Sequence, residues 1–181
     1  MFKKAFVAFL LFLLIATPAI AAIAFDATAN GQDSNVSSLT WSHTCTGADL
    51  VLIVGVSTRG DDGDAVPDGV TYNGVAMTLI DGQGFATVLF SSLWQLKAPA
   101  TGANNVVVSW TTNTVRVVGG SMSFTGVDQT NPIDASNKAT GNSTAPSVAV
   151  TTVADNAWIV DNLGFRTGSS ETVTLDAGDS E

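Results

Sequence analysis

The 181-residue sequence contains one cysteine, one histidine and few basic residues, with 7 lysines and arginines against 16 aspartates and glutamates. Because Cys45 has no second cysteine to pair with, no intrachain disulfide is possible, and packing alone must hold a folded domain together. One histidine and one cysteine fall short of the usual ligand set of zinc, so a zinc centre is not expected. The acidic balance argues against nucleic acid and anionic lipid headgroups as partners, since both attract basic surfaces.

Long apolar runs are confined to the first residues, which are typical of a secretory signal peptide. Lys3 and Lys4 precede an apolar run at residues 6–15, which is too short to span a bilayer. The small residues at 19–21 favour cleavage there, and residues 22–24 offer a second site. The sequence therefore predicts a signal peptide at residues 1–21 and export from the cell.

The mature domain is predicted to span residues 22–181 and to carry 5 basic and 16 acidic side chains, a formal charge of −11. No later run is long and apolar enough to cross a membrane. We expect a secreted or cell-surface protein of bacterial type, with the periplasm as an alternative location.

No stretch of the mature region shows the 3.6-residue period of a helix. Short β-branched and aromatic runs alternate with Gly, Asn, Asp and Pro at intervals of about 8–12 residues, a spacing typical of an all-β sandwich. We predict a single antiparallel β-sandwich, jelly-roll or concanavalin-like, in which Asn73-Gly74 closes a hairpin and residues 84–97 form the longest strand. The remaining candidate strands lie at 24–28, 36–43, 48–58, 69–73, 75–80, 104–111, 114–125, 133–138, 146–152, 157–165 and 171–175.

The C-terminal residues read as the start of a strand with no closing element after it, which would leave a sheet edge open. We interpret the sequence as incomplete at its C-terminal end. Completion of the sheet by a partner chain is the alternative.

Catalytic motifs are absent from the sequence. It contains no Gly-x-Ser-x-Gly elbow and no His-Glu-x-x-His helix. A Ser-His-Asp or Cys-His site would have to use His43, which alternates with apolar residues and reads as a histidine at the rim of a core, with Cys45 beside it. Glycosidase chemistry needs a pair of carboxylates, but most aspartates here lie in turns. We therefore expect a protein without catalytic activity.

The most charged stretch, STRGDDGDAVPDGV at residues 57–70, permits three interpretations. Its Arg-Gly-Asp triplet matches an adhesion signal, but a three-residue match arises often by chance. Oxygen ligands on a flexible loop suit Ca²⁺, although the EF-hand spacing is not present. A hydrated surface turn is the third interpretation. The candidate calcium ligands are Asp61, Asp62, Asp64 and Asp68.

Aromatic side chains are the candidate ligand-binding groups, because the apolar faces of sugars stack on aromatic rings. Trp94 and Trp110 are in phase with apolar neighbours and are predicted to lie in the core. Trp41 and Trp158 fit either the core or the surface. Tyr72, beside the Asn-Gly turn, is a candidate for an exposed position, although most of the aromatic residues are expected in the core.

Several segments resemble a widespread set of secreted bacterial β-sandwich modules that are lectin-like or jelly-roll in character. The resemblance spans about residues 48–165, and its motifs are structural, so it brings no catalytic residues with it. It implies a module that occurs alone or within a larger surface protein, usually with one or two further strands after the point where this chain stops. The segments are VTYNGVAMTL (70–79), LWQL with AP (93–99), NVVVSW (105–110) and SFTGVDQTNPI (123–133).

The function expected from these observations is a non-catalytic extracellular module for surface adhesion or polysaccharide binding. Two other classes remain open. One is a structural subunit of a cell-surface assembly that pairs through its sheet edges with a second chain. The other is a secreted carbohydrate-active hydrolase.

Overall fold

The computed structural model of the protein describes residues 22–60, 66–86, 88–114 and 116–165. The predicted signal peptide, part of the acidic stretch and the predicted strand at 171–175 lie outside these residues. The described part of the chain contains no helix long and apolar enough to cross a membrane. It forms nine strands: β1 (Ala24–Asp33), β2 (Val36–Cys45), β3 (Val51–Arg59), β4 (Gly69–Tyr72), β5 (Val75–Ala76), β6 (Thr78–Phe85), β7 (Leu89–Lys97), β8 (Gly102–Thr114) and β9 (Arg116–Thr125).

The strands form two antiparallel sheets that pack against each other, so the predicted β-sandwich is confirmed. The five-stranded sheet has the order β1-β9-β3-β7-β6, and the four-stranded sheet has the order β2-β8-β4-β5. The four longest ladders each pair nine positions and join β1 to β9, β2 to β8, and β3 to both of its neighbours.

The main core lies between the two sheets and follows from the period-two alternation of the strands. In β2 every second residue from Leu39 to Cys45 is buried, and the residues between them are exposed. Trp94 and Trp110 lie in this core, as their phase predicted. Its buried members are Leu39, Trp41, Cys45, Leu50, Leu52, Val54, Val56, Val70, Tyr72, Met77, Trp94, Val106, Val108, Trp110 and Val117.

The turns of the chain were predicted only in part. Asn73 and Gly74 both have positive φ, as the predicted Asn-Gly hairpin between β4 and β5 requires. The prediction of one long strand at 84–97 is wrong. The chain instead reverses between β6 and β7, where Val88 N donates to the carbonyl of Phe85. Ala86 takes the positive φ of this turn, and an alanine gives no turn signal in the sequence.

The C-terminal segment, defined here as residues 126–165, contains no strand over the described residues. The predicted strands at 133–138, 146–152 and 157–165 are therefore corrected. Ile133 and Val160 instead pack on a second apolar cluster on the outer face of the five-stranded sheet. These two residues gain burial on that face without strand pairing, whereas most other large apolar residues of the segment are exposed: Val148, Val153, Trp158, Ile159, Leu163 and Phe165.

Candidate functional site

The outer face of the five-stranded sheet carries an apolar cluster that is only partly covered. Its buried members are Val51 and Ile53 of β3 with Phe124 and Val127, and the C-terminal segment covers part of it. Along β9, Phe124 and Met122 point to this face, because they alternate with inward-facing serines. Phe124 is buried and Met122 is exposed, so the part of the face that the C-terminal segment covers, here called the cover, ends between these two residues.

Three aromatic rings form a cluster at this edge of the cover. The ring centroid of Phe124 lies 6.2 Å from that of Phe25, edge to face, and 5.3 Å from that of Trp158. Phe124 is only 5% exposed, whereas Phe25 is 49% and Trp158 53% exposed. These separations are typical of favourable aromatic pairs. We call Phe25, Phe124 and Trp158 the aromatic cluster.

The indole of Trp158 is held in place at its polar end. Its Nε1–H donates to the carbonyl of Ile23 at 3.2 Å. The N–H is engaged with the backbone and the ring contacts Phe124, while about half of the residue remains exposed to solvent. An exposed and oriented ring suits stacking, since little side-chain freedom remains to be lost on binding.

A hollow adjoins the aromatic cluster on the same face. Its floor includes Gly120, where an added Cβ would meet nothing within 4 Å, and Gly55, whose outer side is occupied by Asn162. The glycines leave this part of the sheet without side chains, which opens the space beneath the C-terminal segment. The lining residues are Ile53, Gly55, Leu93, Gly120, Met122, Val160, Asp161 and Asn162.

Asn162 anchors the C-terminal segment above the hollow. Its Nδ2 donates to the carbonyls of Val56 at 3.2 Å and Ser92 at 3.0 Å. The same Nδ2 lies 2.8 Å from Ser91 Oγ. Ser91 Oγ donates in turn to the backbone carbonyl of Asn162 at 3.0 Å. The amide therefore binds two central strands and is the polar anchor of the cover.

Of the aromatic residues proposed from the sequence, only Trp158 belongs to the aromatic cluster. Tyr72 is fully buried, so the exposed position suggested for it is corrected. The Asn-Gly turn after it is exposed, but its ring follows the inward phase of β4. Its hydroxyl lies 3.1 Å from the carbonyl of Gly102 and 3.2 Å from that of Ala100. Trp41 is also buried and lies in a polar network inside the sandwich.

A network of hydrogen bonds between the sheets connects Trp41, Ser121, His43, Ser123 and Asp26. Each bond can be read with the donor on the Trp41 side and the acceptor on the Asp26 side. Ser123 Oγ donates to Asp26 Oδ2 at 2.7 Å, so it must accept from His43 Nε2, 2.9 Å away. A neutral ring protonated on Nε2 leaves Nδ1 as an acceptor for Ser121 Oγ at 2.9 Å. Ser121 Oγ in turn accepts from Trp41 Nε1 at 2.9 Å. The Ser121 hydroxyl also lies 3.2 Å from the carbonyl of Ala29, which is a second acceptor for its proton.

The same network determines the pKa shifts of its two titratable members. Burial lowers the pKa of His43, and the nearby Asp26 carboxylate opposes that shift only in part. Burial acts to raise the pKa of Asp26, but hydrogen bonds from Thr46 and Ser123 outweigh it and leave that pKa lowered. His43 is therefore neutral and Asp26 ionised near neutral pH.

Serine, histidine and aspartate meet in this network, but not in the order of a catalytic triad. In a triad the histidine bridges the serine and the carboxylate. Here His43 bridges Ser121 and Ser123, and the carboxylate of Asp26 accepts from Ser123. Ser123 is 0% exposed, so its hydroxyl has no access to solvent. The arrangement satisfies buried polar groups of both sheets.

Cys45 and Tyr72 lie next to the network on its inner side. Burial raises the pKa of the Cys45 thiol, and it raises the pKa of Tyr72 to about 12, with a hydrogen bond to Cys45 adding to that shift. Both groups are therefore protonated at neutral pH. A protonated, fully buried thiol has the features of a structural cysteine rather than a reactive one.

Three of the four candidate calcium ligands, Asp61, Asp62 and Asp64, lie outside the described residues. Asp68 is described, and its Oδ2 accepts from Thr111 Oγ1 at 2.7 Å. Over the residues that the structure covers, no group of three or more His, Cys, Asp or Glu side chains is placed to hold a metal ion.

The sequence did not indicate Phe25 or Phe124 as site residues. Each looks like an ordinary strand residue, and only the β1–β9 register, which pairs Phe25 with Phe124, brings them together. Asp26 was missed for a related reason, because a bulge between Phe25 and Ala27 turns its carboxylate towards Ser123.

The chain matches no protein-family model, no curated protein sequence and no solved structure.

Proposed function

We propose that this protein is a non-catalytic extracellular module that binds polysaccharide at the aromatic cluster. The observation that carries the proposal is the pair of half-exposed rings, Trp158 and Phe25, on either side of the buried Phe124. Large aromatic rings are rarely left exposed together without a function, and exposed apolar patches mark binding surfaces.

The chemistry of the site favours a sugar over a purely apolar ligand. The rings offer flat apolar surface to the C–H face of a pyranose, and Asp161 and Asn162 line the neighbouring hollow. The amide of Asn162 is engaged by the sheet, whereas the exposed carboxylate of Asp161 suits the hydroxyls of a sugar stacked on the cluster, as in ligand sites that combine apolar lining with a few polar groups. The formal charge of −11 in the mature chain favours a neutral polysaccharide over an acidic one.

We expect replacement of Trp158 by alanine to weaken glycan binding by about tenfold or more, because a central aromatic anchor typically contributes 2 kcal/mol or more. The measurement is a screen of soluble neutral polysaccharides followed by titration of the best ligand, with intrinsic tryptophan fluorescence as the readout. Calorimetry serves for Trp158→Ala, which removes the fluorophore at the site.

The matched control is Phe85→Ala, since Phe85 is an exposed aromatic residue at the β6–β7 hairpin, outside the aromatic cluster. It should leave the affinity unchanged. Equal losses in both variants, or no neutral glycan bound by the unaltered protein, would contradict the proposal. Binding lost only in EDTA would move the site to the acidic stretch at residues 60–68.

A further inference from the structure

The outer face of the four-stranded sheet differs from the rest of this acidic molecule, because over the described residues its strands carry no charged side chain. One carboxylate contacts it, that of Asp68, which precedes β4 and accepts from Thr111 of β8. Strands β2, β4, β5 and β8 contain no Asp, Glu, Lys or Arg. The five-stranded sheet, by contrast, includes charged residues such as Asp26, Asp33, Arg59 and Asp81. In a mature chain with a formal charge of −11, four strands without a charged side chain are a marked departure, and we call the outer face that they form the neutral face.

The side chains on this neutral face are mostly hydroxyls and amides in register. Ser38 lies opposite Ser109, Thr40 opposite Val107 and Ser42 opposite Asn105 across the β2–β8 ladder, with Thr44 opposite Ala103 at its end. On the other side of β8, Thr71 of β4 lies opposite Val107. The face is thus a grid, with side chains about 6.8 Å apart along each strand and about 4.8 Å apart between strands.

The hydroxyls of β2 are available for binding. Ser38, Thr40, Ser42 and Thr44 are all exposed. Within the described residues, none of these four side chains has a hydrogen-bond partner. The aromatic residues of the same sheet point the other way, since Trp41, Tyr72 and Trp110 are buried in the core.

We propose that this neutral face, made of the outward residues of β2, β8 and β4, binds the ordered surface of a neutral crystalline polysaccharide. The strands of this face carry no charged side chain, which complements an uncharged ligand and avoids the cost of removing water from ions over the area between β2 and β4. A regular grid of weak donors and acceptors suits a regular array of hydroxyls, because many single hydrogen bonds form at once. Without exposed rings, the face lacks the stacking that a single soluble chain would need.

Ice is the other ordered array of hydroxyl groups, and the composition of the face favours polysaccharide. Two of the four outward residues of β2 are serines, which have no methyl group, and Asn105 extends a longer polar group above its neighbours. The surface therefore offers hydrogen bonds at different heights, whereas the flat lattice of ice requires an even surface. The neutral face is distinct from the aromatic cluster, and the inference does not depend on the function proposed for that cluster.

The test is depletion of the mature protein from solution by microcrystalline cellulose and by crystalline chitin. A triple variant, Thr40→Val with Ser42→Ala and Thr44→Val, removes three hydroxyls and keeps the β-branched side chains that strands prefer. We expect it to adsorb about tenfold or more weakly, since three hydrogen bonds are lost together.

The matched control removes three exposed hydroxyls from the C-terminal segment: Ser147→Ala, Thr151→Val and Thr152→Val. It should adsorb like the unaltered protein. A second variant, Ser42→Lys, tests the same face by adding one charge at its centre, and it should also reduce adsorption. Thermal unfolding of each variant shows whether it is folded.

The inference is overturned if a folded triple variant adsorbs normally, or if the control loses as much adsorption. It is also overturned if the protein adsorbs to neither solid but inhibits ice recrystallisation, because ice would then be the ligand. Adsorption lost in Trp158→Ala and kept in the triple variant would assign it to the aromatic cluster. That result would support polysaccharide binding at the aromatic cluster and reject binding at the neutral face.

Discussion

His43 connects the two sheets through a hydrogen-bonded network of buried side chains. It is the only histidine of the chain, and both of its ring nitrogens are hydrogen-bonded to serines of β9. A protonated ring would need an acceptor at Nδ1 in place of a donor, so Ser121 would have to turn its proton away. Ser121 could then donate to the carbonyl of Ala29, 3.2 Å away, so the main cost of protonation is a charge placed in the core.

We predict that the protein loses stability as the pH falls below about 6.5. The pKa of His43 is lowered in the folded state, so the unfolded chain binds more protons below its own pKa of about 6.5. The contribution of His43 is therefore fully present above that pH and declines as the pH falls towards the folded pKa. Asp26, whose folded pKa is also lowered, adds a second loss below about 3.8.

The measurement is the free energy of urea unfolding at intervals from pH 8 to pH 5. His43→Gln is the control, because glutamine keeps polar groups near both serines and cannot titrate. It should be less stable at pH 8 and nearly independent of pH between 7 and 5. A slope equal to that of the unaltered protein would show that the titrating group is not His43.

Strand β9 contains two adjacent glycines with opposite surroundings, and they allow a sharp test of the core. An added Cβ at Gly119 would lie 2.5 Å from Trp41 Cη2, whereas at Gly120 it would meet nothing within 4 Å. Trp41 cannot easily move aside, because its Nε1 is bonded to Ser121 inside the network. Gly119 therefore provides the space in which the indole of Trp41 packs.

We predict that Gly119→Ala destabilises the protein by about 1–3 kcal/mol, the usual cost of overpacking a core. Gly120→Ala is the matched control on the next residue of the same strand. It should be neutral or slightly stabilising, since alanine reduces the freedom of the unfolded chain. Urea unfolding of both variants measures the difference, and equal stabilities would show that the indole has room to shift.

The C-terminal segment depends on a small number of anchors, of which Asn162 is the most extensively bonded. Replacement by alanine leaves the carbonyls of Val56 and Ser92 without this donor. We predict a loss of about 1–3 kcal/mol in unfolding free energy, because several hydrogen bonds between the segment and the sheet are lost together. Limited proteolysis should cut within residues 134–160 faster than in the unaltered protein.

Asn137→Ala is the control for this prediction, because Asn137 is exposed and its Nδ2 donates to one carbonyl, that of Ala149. It should cost less than 1 kcal/mol. If Asn162→Ala is no more sensitive to protease than Asn137→Ala, the segment is held mainly by its apolar contacts.

At the scale of the whole molecule, the acidic charge raises the question of a bound cation. We predict that EDTA leaves the melting temperature unchanged, because the described candidate ligand, Asp68, already has its carboxylate engaged by Thr111. A melting temperature that rises in millimolar calcium would contradict this prediction. Asp62→Asn with Asp64→Asn would then test whether the acidic stretch is the site, by abolishing the response.

The distribution of charge also divides the molecule into two different outer surfaces. The five-stranded sheet presents the aromatic cluster and the anchored segment, and the four-stranded sheet presents the neutral face. Each surface has its own proposed ligand and its own variants, so the two proposals can fail separately.

The alternation of residues along the strands was sufficient to predict the sandwich, the core positions of Trp94 and Trp110, and the inward phase of His43 and Cys45. These features are local, because a period of two determines which side chains share a face. The Asn73-Gly74 turn was predictable for a similar reason, since asparagine and glycine accept positive φ.

Tertiary structure alone decided the rest. The reversal at Ala86 has no local signal, and the apolar pattern of the C-terminal segment fits packing on a sheet face as well as pairing at its edge. The aromatic cluster joins residues 25, 124 and 158, and the network joins residues 26, 43 and 123. Contacts so distant in sequence follow from strand order and register, which depend on how all the strands pack together.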